Sequence, residues 1–258
     1  PTRRSSDVRS VRWATRVLGR VAGFAARSFA DLERRLGEVD WASWLVEDAR
    51  PSYRITSRGS QLVHTGAIGE RFAAALGAGR PDGPEQIVVV RVSRDRFTIS
   101  VDSSGAPLHM RGWRQATAKA PLRESVAAGM LLAAGWDPTT PLVDPMCGSG
   151  TVAIEAALFA AGRAPGADRP FAFQHWPSFE PGTWASATAA PVDPVAKLPA
   201  IVGSDRDAGA VEAARSNAER AGVADLVEFR QAPVSDLEAP GGGPGHLEIG
   251  RASCRERV

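Results

Sequence analysis

The sequence predicts a mixed α/β chain: a nucleotide-binding type of strand–turn–helix unit in the second half, preceded by a smaller α+β region. Three observations support this. Leu142-Val143-Asp144 is a short apolar run ending at an acid, and the turn Gly148-Ser-Gly150 leads from it into an alanine-rich helical stretch, Thr151 to Ala161. Ala200-Ile-Val-Gly-Ser-Asp205 repeats the pattern of a buried strand that ends at an acid, with helix signals after it. Upstream, strand-like runs such as Ile87-Val-Val-Val90 and Phe97-Thr-Ile99 are interleaved with amphipathic helical ones.

Composition narrows the classes. At 258 residues the chain can bury one large core or two small ones. Hydrophobic content of 43% and charged content of 23% fit an ordinary globular protein. No apolar run is long enough to span a membrane and no secretory signal opens the chain, so a cytoplasmic protein is expected. The formal charge of +2 is too small to argue for nucleic-acid binding by itself. Cys147 and Cys254 lie in separate contexts and the four histidines are scattered, so neither a disulfide framework nor a metal site is expected.

Taken in order, Val11 to Val21 reads as a strand, ending at Gly23-Phe24. Ser28 sits where an N-cap belongs, ahead of a helix that places Phe29, Leu32 and Leu36 on one face. Asp40-Trp-Ala-Ser-Trp44 makes an aromatic connection to a polar strand, Ser52 to Arg58. Thr65 to Leu76 reads as a helix, and Ile87–Val92 and Phe97–Val101 as strands joined at Arg94-Asp95. Ser103-Ser-Gly105 has turn chemistry, and residues 115–120 look like a linker. Pro121 suits the first turn of a helix that runs to Ala134 and stops at Gly135. Leu122, Val126 and Met130 or Ala133 form its expected buried stripe. Asp207 looks like the N-cap of a helix ending at Ala221, with Gly222 as its stop and Val211, Ala214 and Ala218 facing the sheet. Val227 to Gln231 is a further strand.

The glycine turn is the candidate binding element. Gly148 and Gly150 lack a Cβ, so the backbone can bend sharply and approach a ligand closely. The helix after them turns its free N–H groups and positive dipole end toward whatever lies over the turn. Gly148-x-Gly150-x-x-Ala153 also satisfies the dinucleotide fingerprint, which expects an acid about twenty residues on. Here the chain instead enters a proline- and aromatic-rich insertion, Gly162 to Pro199. The phrase Asp144-Pro-Met-Cys-Gly-Ser-Gly-Thr151 resembles motif I of class I S-adenosylmethionine (SAM) methyltransferases that modify nucleic acids. The resemblance implies a partial Rossmann-like methyltransferase domain that binds SAM rather than NAD. It also implies a cofactor set of Asp144, Pro145, Cys147, Gly148 and Gly150, with Asp205 on the ribose hydroxyls. A carboxylate suits a vicinal diol because it accepts two hydrogen bonds. The family's usual acid after the next strand aligns with Pro233, which leaves Asp236 as the candidate for the adenine.

Two further resemblances bear on the substrate. Val11 to Val92, with Arg54-Ile-Thr-Ser-Arg58 and His64-Thr-Gly-Ala-Ile-Gly-Glu-Arg71, resembles the later part of a THUMP domain, an RNA-binding module. Arg54, Arg58 and Arg71 would then supply phosphate contacts, against the simpler reading of a solvated basic face. Leu108-His-Met-Arg-Gly-Trp-Arg114 and Ala120-Pro-Leu-Arg-Glu-Ser125 resemble the bacterial 23S rRNA guanine-N2 methyltransferases. Arg111, Arg114 and Arg123 become RNA or pocket candidates on that basis, with structural salt bridging weighed equally. Phe171, Phe173, Trp176, Phe179 and Trp184 could stack a splayed base, although pinning the insertion in place is the favoured reading.

The expected organisation is a partial THUMP-like α+β domain over 1–95, a partial methyltransferase domain over 96–247, and a non-native tail over 248–258 that matches sequencing-adapter read-through. The family holds its target amine with an Asn-Pro-Pro-Tyr-like motif, and no such motif occurs in these residues. No catalytic residue is therefore assigned, and the chain is expected to bind SAM and RNA without turning over. An adenine-N6 DNA methyltransferase shares the same motif logic, and an RNA-binding protein with a vestigial methyltransferase fold is the reading from another class.

Overall fold

A computed structural model describes residues 9–77, 79–115, 122–189 and 200–236. They divide into two units, one built from Arg16–Pro107 with Pro170–Ser186, the other from residues 9–15, Leu108–Arg169 and residues 187–236. Among the described residues no helix is long and apolar enough to cross a membrane, and no group of His, Cys, Asp or Glu could hold a metal ion.

The first unit contains β1 (Leu18–Ala25), α1 (Phe29–Gly37), β2 (Arg50–Arg58), α2 (Thr65–Leu76), β3 (Glu85–Ser93) and β4 (Arg96–Asp102). Its sheet runs β1-β4-β3-β2, with β2 parallel to β3 and the other pairs antiparallel. Ser28 caps α1 as its position requires, its side chain accepting from the Asp31 N–H at 3.1 Å. The period-3.6 faces of α1 and α2 bury Leu32, Leu36, Ile68 and Phe72 against Val88, Val90, Phe97 and Ile99 of the strands. Asp95 takes a positive φ of 59° in the β3–β4 turn, beside Arg94 at 50°.

Two sequence expectations change in this unit. The first strand covers Leu18–Ala25 rather than Val11 to Val21, because residues 11–15 belong to the other unit. The boundary drawn after Asp95 falls inside the β3–β4 hairpin, whose second strand pairs with both β1 and β3. The hairpin register fixes Arg96–Asp102 in the first sheet whatever the sequence suggests. The aromatic run belongs here as well. Phe171 and Phe173 are buried, and the Phe173 ring meets Trp176, Phe179 and Trp184 at centroid distances of 6.4, 5.8 and 5.2 Å. Trp176 in turn packs edge-on against Trp44 at 5.3 Å. The rings pin the segment to its unit.

The second unit holds α3 (Glu124–Ala133), β5 (Leu142–Asp144), α4 (Thr151–Ala160), β6 (Ile201–Asp205), α6 (Ala208–Ala221) and β7 (Glu228–Gln231). The helix α5 (Pro181–Ala189) begins within the first unit's segment. The three strands form a wholly parallel sheet, β5-β6-β7, in which Asp144 is in register with Gly203. Alanines dominate the helix faces: Ala153, Ala156, Ala157 and Ala160 on α4, and Ala214, Ala218 and Ala221 on α6. Small side chains let helices approach one another closely. In α3 the buried face is Glu124, Ser125, Ala127, Ala128 and Leu131, while Val126 and Leu132 are exposed. The expected stripe was misplaced because this helix is apolar nearly all round, so its sequence carries no polar face to set which side turns inward. Pro121 and the 248–258 tail lie outside the described residues.

Candidate functional site

Parallel strands send their acids to one end. Asp144 closes β5 and Asp205 closes β6, and the strands are hydrogen-bonded neighbours, so both carboxylates emerge at the same sheet edge. The residues after Asp144 then fold over that edge. The Cys147 N–H donates to the Ser204 carbonyl at 2.9 Å, and the Gly150 N–H donates back to the Cys147 carbonyl at 2.8 Å. Asp205 ties the arrangement together: one carboxylate oxygen accepts from the Gly148 N–H and the other from the Asp207 N–H, both at 3.0 Å. Asp207 caps α6 through the Gly209 and Ala210 N–H groups.

The two glycines do different work. Gly148 has φ +53°, and a Cβ built there would have nothing within 4 Å. The space over it is open. Gly150 has φ +83°, and its Cβ would lie 2.9 Å from the Phe229 ring and 3.0 Å from the Ala214 methyl. It is the point where the turn packs on β7 and α6. Gly203 has a similar packing role, since a Cβ there would meet Phe229 at 2.7 Å.

Electrostatically the site is frustrated. Burial pushes the Asp144 carboxyl up to about 6, with the nearby Asp205 adding to the rise and the Met146 N–H opposing it. The Asp144–Met146 hydrogen bond is long, 3.3 Å. Burial, reinforced by the two acids, also raises the Cys147 thiol, so it is an inert packing group rather than a nucleophile. Pro145 and the exposed Met146 complete the bend. Asp236 is not drawn into this constellation by any hydrogen bond. It is exposed in the turn Val234–Asp236, accepting from the Ser235 hydroxyl at 2.8 Å.

The arginine candidates divide. Arg111 is fully inside, its guanidinium 3.2 Å from Glu155 on α4 and bonded to the Val11, Arg12 and Leu108 carbonyls. Arg114 meets Glu124 at 3.2 Å and donates to the Thr151 hydroxyl at 2.7 Å, where α4 begins. Both are structural. Arg71 is paired with Glu33 at 2.7 Å, whereas Arg54 and Arg58 lie exposed along β2, an edge strand. Arg123 is exposed at the start of α3. A cavity of about 230 Å³ lies instead at the far ends of α4 and α6, lined by Trp113, Arg163 and Arg220 among others. Those arginines are spent on backbone carbonyls, Arg163 on Gly222 and Arg220 on Trp113.

Sequence reading missed two residues that shape the site. Glu155 lies within the alanine-rich helix and is wholly buried. Asn217 shares the inward face of α6 with Ala214 and Ala218, and its Nδ2 donates to the Ser149 carbonyl inside the turn at 3.1 Å. A polar residue in step with a buried apolar stripe was the available signal for both.

Comparison with known proteins adds four findings. Residues 111–243 match the family model described as "RMKL-like, methyltransferase domain". The chain is 34% identical over 242 residues to Bacillus subtilis (strain 168) "Putative RNA methyltransferase YpsC", covering 88% of this chain and 63% of that protein. Among solved structures it resembles a "predicted N6-adenine-specific DNA methylase" from Listeria monocytogenes, at 32% identity and a TM-score of 0.75 over 91% of this chain and 66% of that one. It also resembles SMU.472, "a putative methyltransferase complexed with SAH", at 29% identity and a TM-score of 0.78, covering 90% and 66%. The chain thus spans just under two thirds of the length of each of these relatives.

Proposed function

The chain belongs to the RMKL-like methyltransferase domain family, and from that premise we propose that it carries the cofactor half of a SAM-dependent RNA methyltransferase. The observation behind this reading is the open space over Gly148, flanked by Asp144 and Asp205 at neighbouring strand ends. A ligand can approach the backbone there, and the first turn of α4 offers it N–H groups that no intrahelical carbonyl takes up. SAM fits that chemistry, and it supplies the methyl group. The relative crystallised with SAH, the spent form of the same cofactor, supports the choice.

In this reading each residue has a limited task. Asp205 keeps lone pairs free after bonding Gly148 and Asp207, and these accept from a vicinal diol. Asp144, raised by burial, becomes a better carboxylate when an ammonium group approaches it. Gly148 admits the cofactor and Gly150 sets the bend, while Pro145 and Cys147 shape the turn from beneath. Asp236 is the adenine partner only if the ligand reaches the turn after β7.

RNA as substrate is supported by the description of YpsC and by the THUMP-like pattern of the first unit, with Arg54 and Arg58 on an exposed strand edge. Guanine N2 of 23S rRNA is the proposed target, on the likeness of Leu108 to Arg114 and Ala120 to Ser125 to that enzyme group. The second reading, adenine N6 of DNA, draws on the description of the Listeria relative. The test is transfer of labelled methyl from SAM, by the protein carried to the full length of its relatives, to 23S rRNA and to plasmid DNA. Label in rRNA, recovered as N2-methylguanine after digestion, is the expected result. Label in DNA adenine alone overturns it.

A further inference from the structure

The helix α6 presents Val211, Ala214, Ala218 and Ala221 to the core, and Asn217 lies among them with no exposed surface. An apolar residue would fill that position without the cost of desolvating a carboxamide. Its side chain is instead committed to the glycine turn. Nδ2 donates to the Ser149 carbonyl at 3.1 Å, while Oδ1 accepts from Arg220 Nη2 at 2.5 Å and the Gln115 N–H at 3.4 Å. Ser149 is the middle residue of Gly148-Ser-Gly150 and precedes the N-cap of α4, so its carbonyl stands outside the helix ladder.

The turn is consequently gripped from both sides. Asp205 holds the Gly148 N–H from the strand, and Asn217 holds the next carbonyl from the helix. Between those grips lies the φ of Gly148, and the φ of Gly150 follows directly on the held carbonyl; neither glycine has a side chain to restrain it. Releasing one grip frees the peptide planes to rotate. The Arg220 guanidinium extends the brace, since its Nε donates to the Trp113 carbonyl at 2.9 Å.

We propose that Asn217 is a positioning residue for the cofactor: by fixing the Ser149 carbonyl it holds the Gly148–Gly150 turn in its ligand-ready conformation. The proposal rests on the SAM reading above. A merely structural asparagine would stabilise the fold and leave affinity untouched; a positioning one sets affinity.

SAH titrated calorimetrically into the whole chain separates the outcomes. Asn217→Asp keeps the size and the acceptor facing Arg220 but loses the donor to Ser149. Asn217→Ser serves the same purpose if the first variant does not fold. Val211→Ala, also on α6 but not bonded to the turn, controls for lost core packing. SAH affinity should fall about tenfold in the Asn217 variant, as expected for a lost buried hydrogen bond. It should stay within about twofold in Val211→Ala, although that change costs comparable stability. Amide exchange at Ser149 and Gly150 should quicken only in the Asn217 variant. Equal affinity in wild type and Asn217 variant, or an equal loss in Val211→Ala, overturns the proposal. Absence of SAH binding by the wild type overturns the SAM reading itself.

Discussion

The two units solve the problem of a stable interior in opposite ways. The first fills its core with large side chains, including Phe72, Phe97, Ile68 and Ile99, all without exposed surface. Its buried acid, Asp102, accepts from the Ser104 and Gly105 N–H groups and pairs with Arg16. Nothing about that carboxylate is left over. The second packs alanine against alanine and puts polar groups inside: Glu155 faces Arg111, one of its oxygens has no hydrogen-bond partner among the described residues, and Asn217 grips a turn. Bulk packing suffices for a scaffold. A site that must hold a backbone bend within hydrogen-bond tolerance needs directional contacts, and close alanine packing brings them within reach.

The contrast makes the largest predicted effects differ in kind. Phe97→Ala should cost about 3–5 kcal/mol by opening a cavity, seen in urea unfolding with faster amide exchange along β3 and β4. Arg111→Met should cost a similar 3–5 kcal/mol or so by stranding a buried carboxylate, with faster exchange concentrated in α4. If the Arg111 variant loosens the first sheet instead, the division between the units is wrong.

Next in size come the glycines, which should respond oppositely. Gly150→Ala forces a methyl onto Phe229 and Ala214 at a positive φ, so a loss of about 2–3 kcal/mol is expected. Gly148→Ala meets open space and should cost only about 1 kcal/mol from its backbone angle. SAH affinity should nevertheless drop at least about tenfold in the Gly148 variant, because the new methyl occupies the ligand's approach. Thermal melts and calorimetry on the pair check both halves.

The smallest expected effect has an informative sign. The Asp144 carboxyl titrates at about 6 in the folded chain against 3.8 without its surroundings, so the native state binds the proton more tightly. Its contribution to stability is therefore most favourable in acid and declines as pH rises through about 6. Asp144→Asn removes that penalty; the shift is worth at most about 3 kcal/mol, and because the carboxyl is only half-buried a gain of about 1 kcal/mol is expected above roughly pH 7. The gain should vanish by about pH 4. Melting curves across that range test it. A variant less stable than wild type at neutral pH would contradict the burial account.

Local chemistry was legible in the sequence, and long-range chemistry was not. Ser28, Asp207 and Gly222 mark helix ends through contacts within a few residues, and each acts as expected. The strand–acid pattern likewise predicted β5 and β6 and the neighbouring carboxylates. The stretch from Val11 was misread as strand because its alternation looks local, whereas the Val11 and Arg12 carbonyls are held by Arg111 from far along the chain. Asn217 and Glu155 stand out only as polar residues within apolar helical stripes; what they hold was not legible, because their partners, Ser149 and Arg111, are brought near only by the fold. The α3 face failed differently, since an almost wholly apolar helix carries no polarity to orient it.

The central claim is that Asp144, Asp205 and the bend at Gly148 enclose one small molecule. Titrating SAH into the chain, beside the variant Asp205→Ala, tests that claim most directly. One binding site in the wild type, and affinity weaker by at least about tenfold in the variant, is the predicted outcome. Wild-type protein that binds no SAH, or a variant that binds it equally well, would contradict the account.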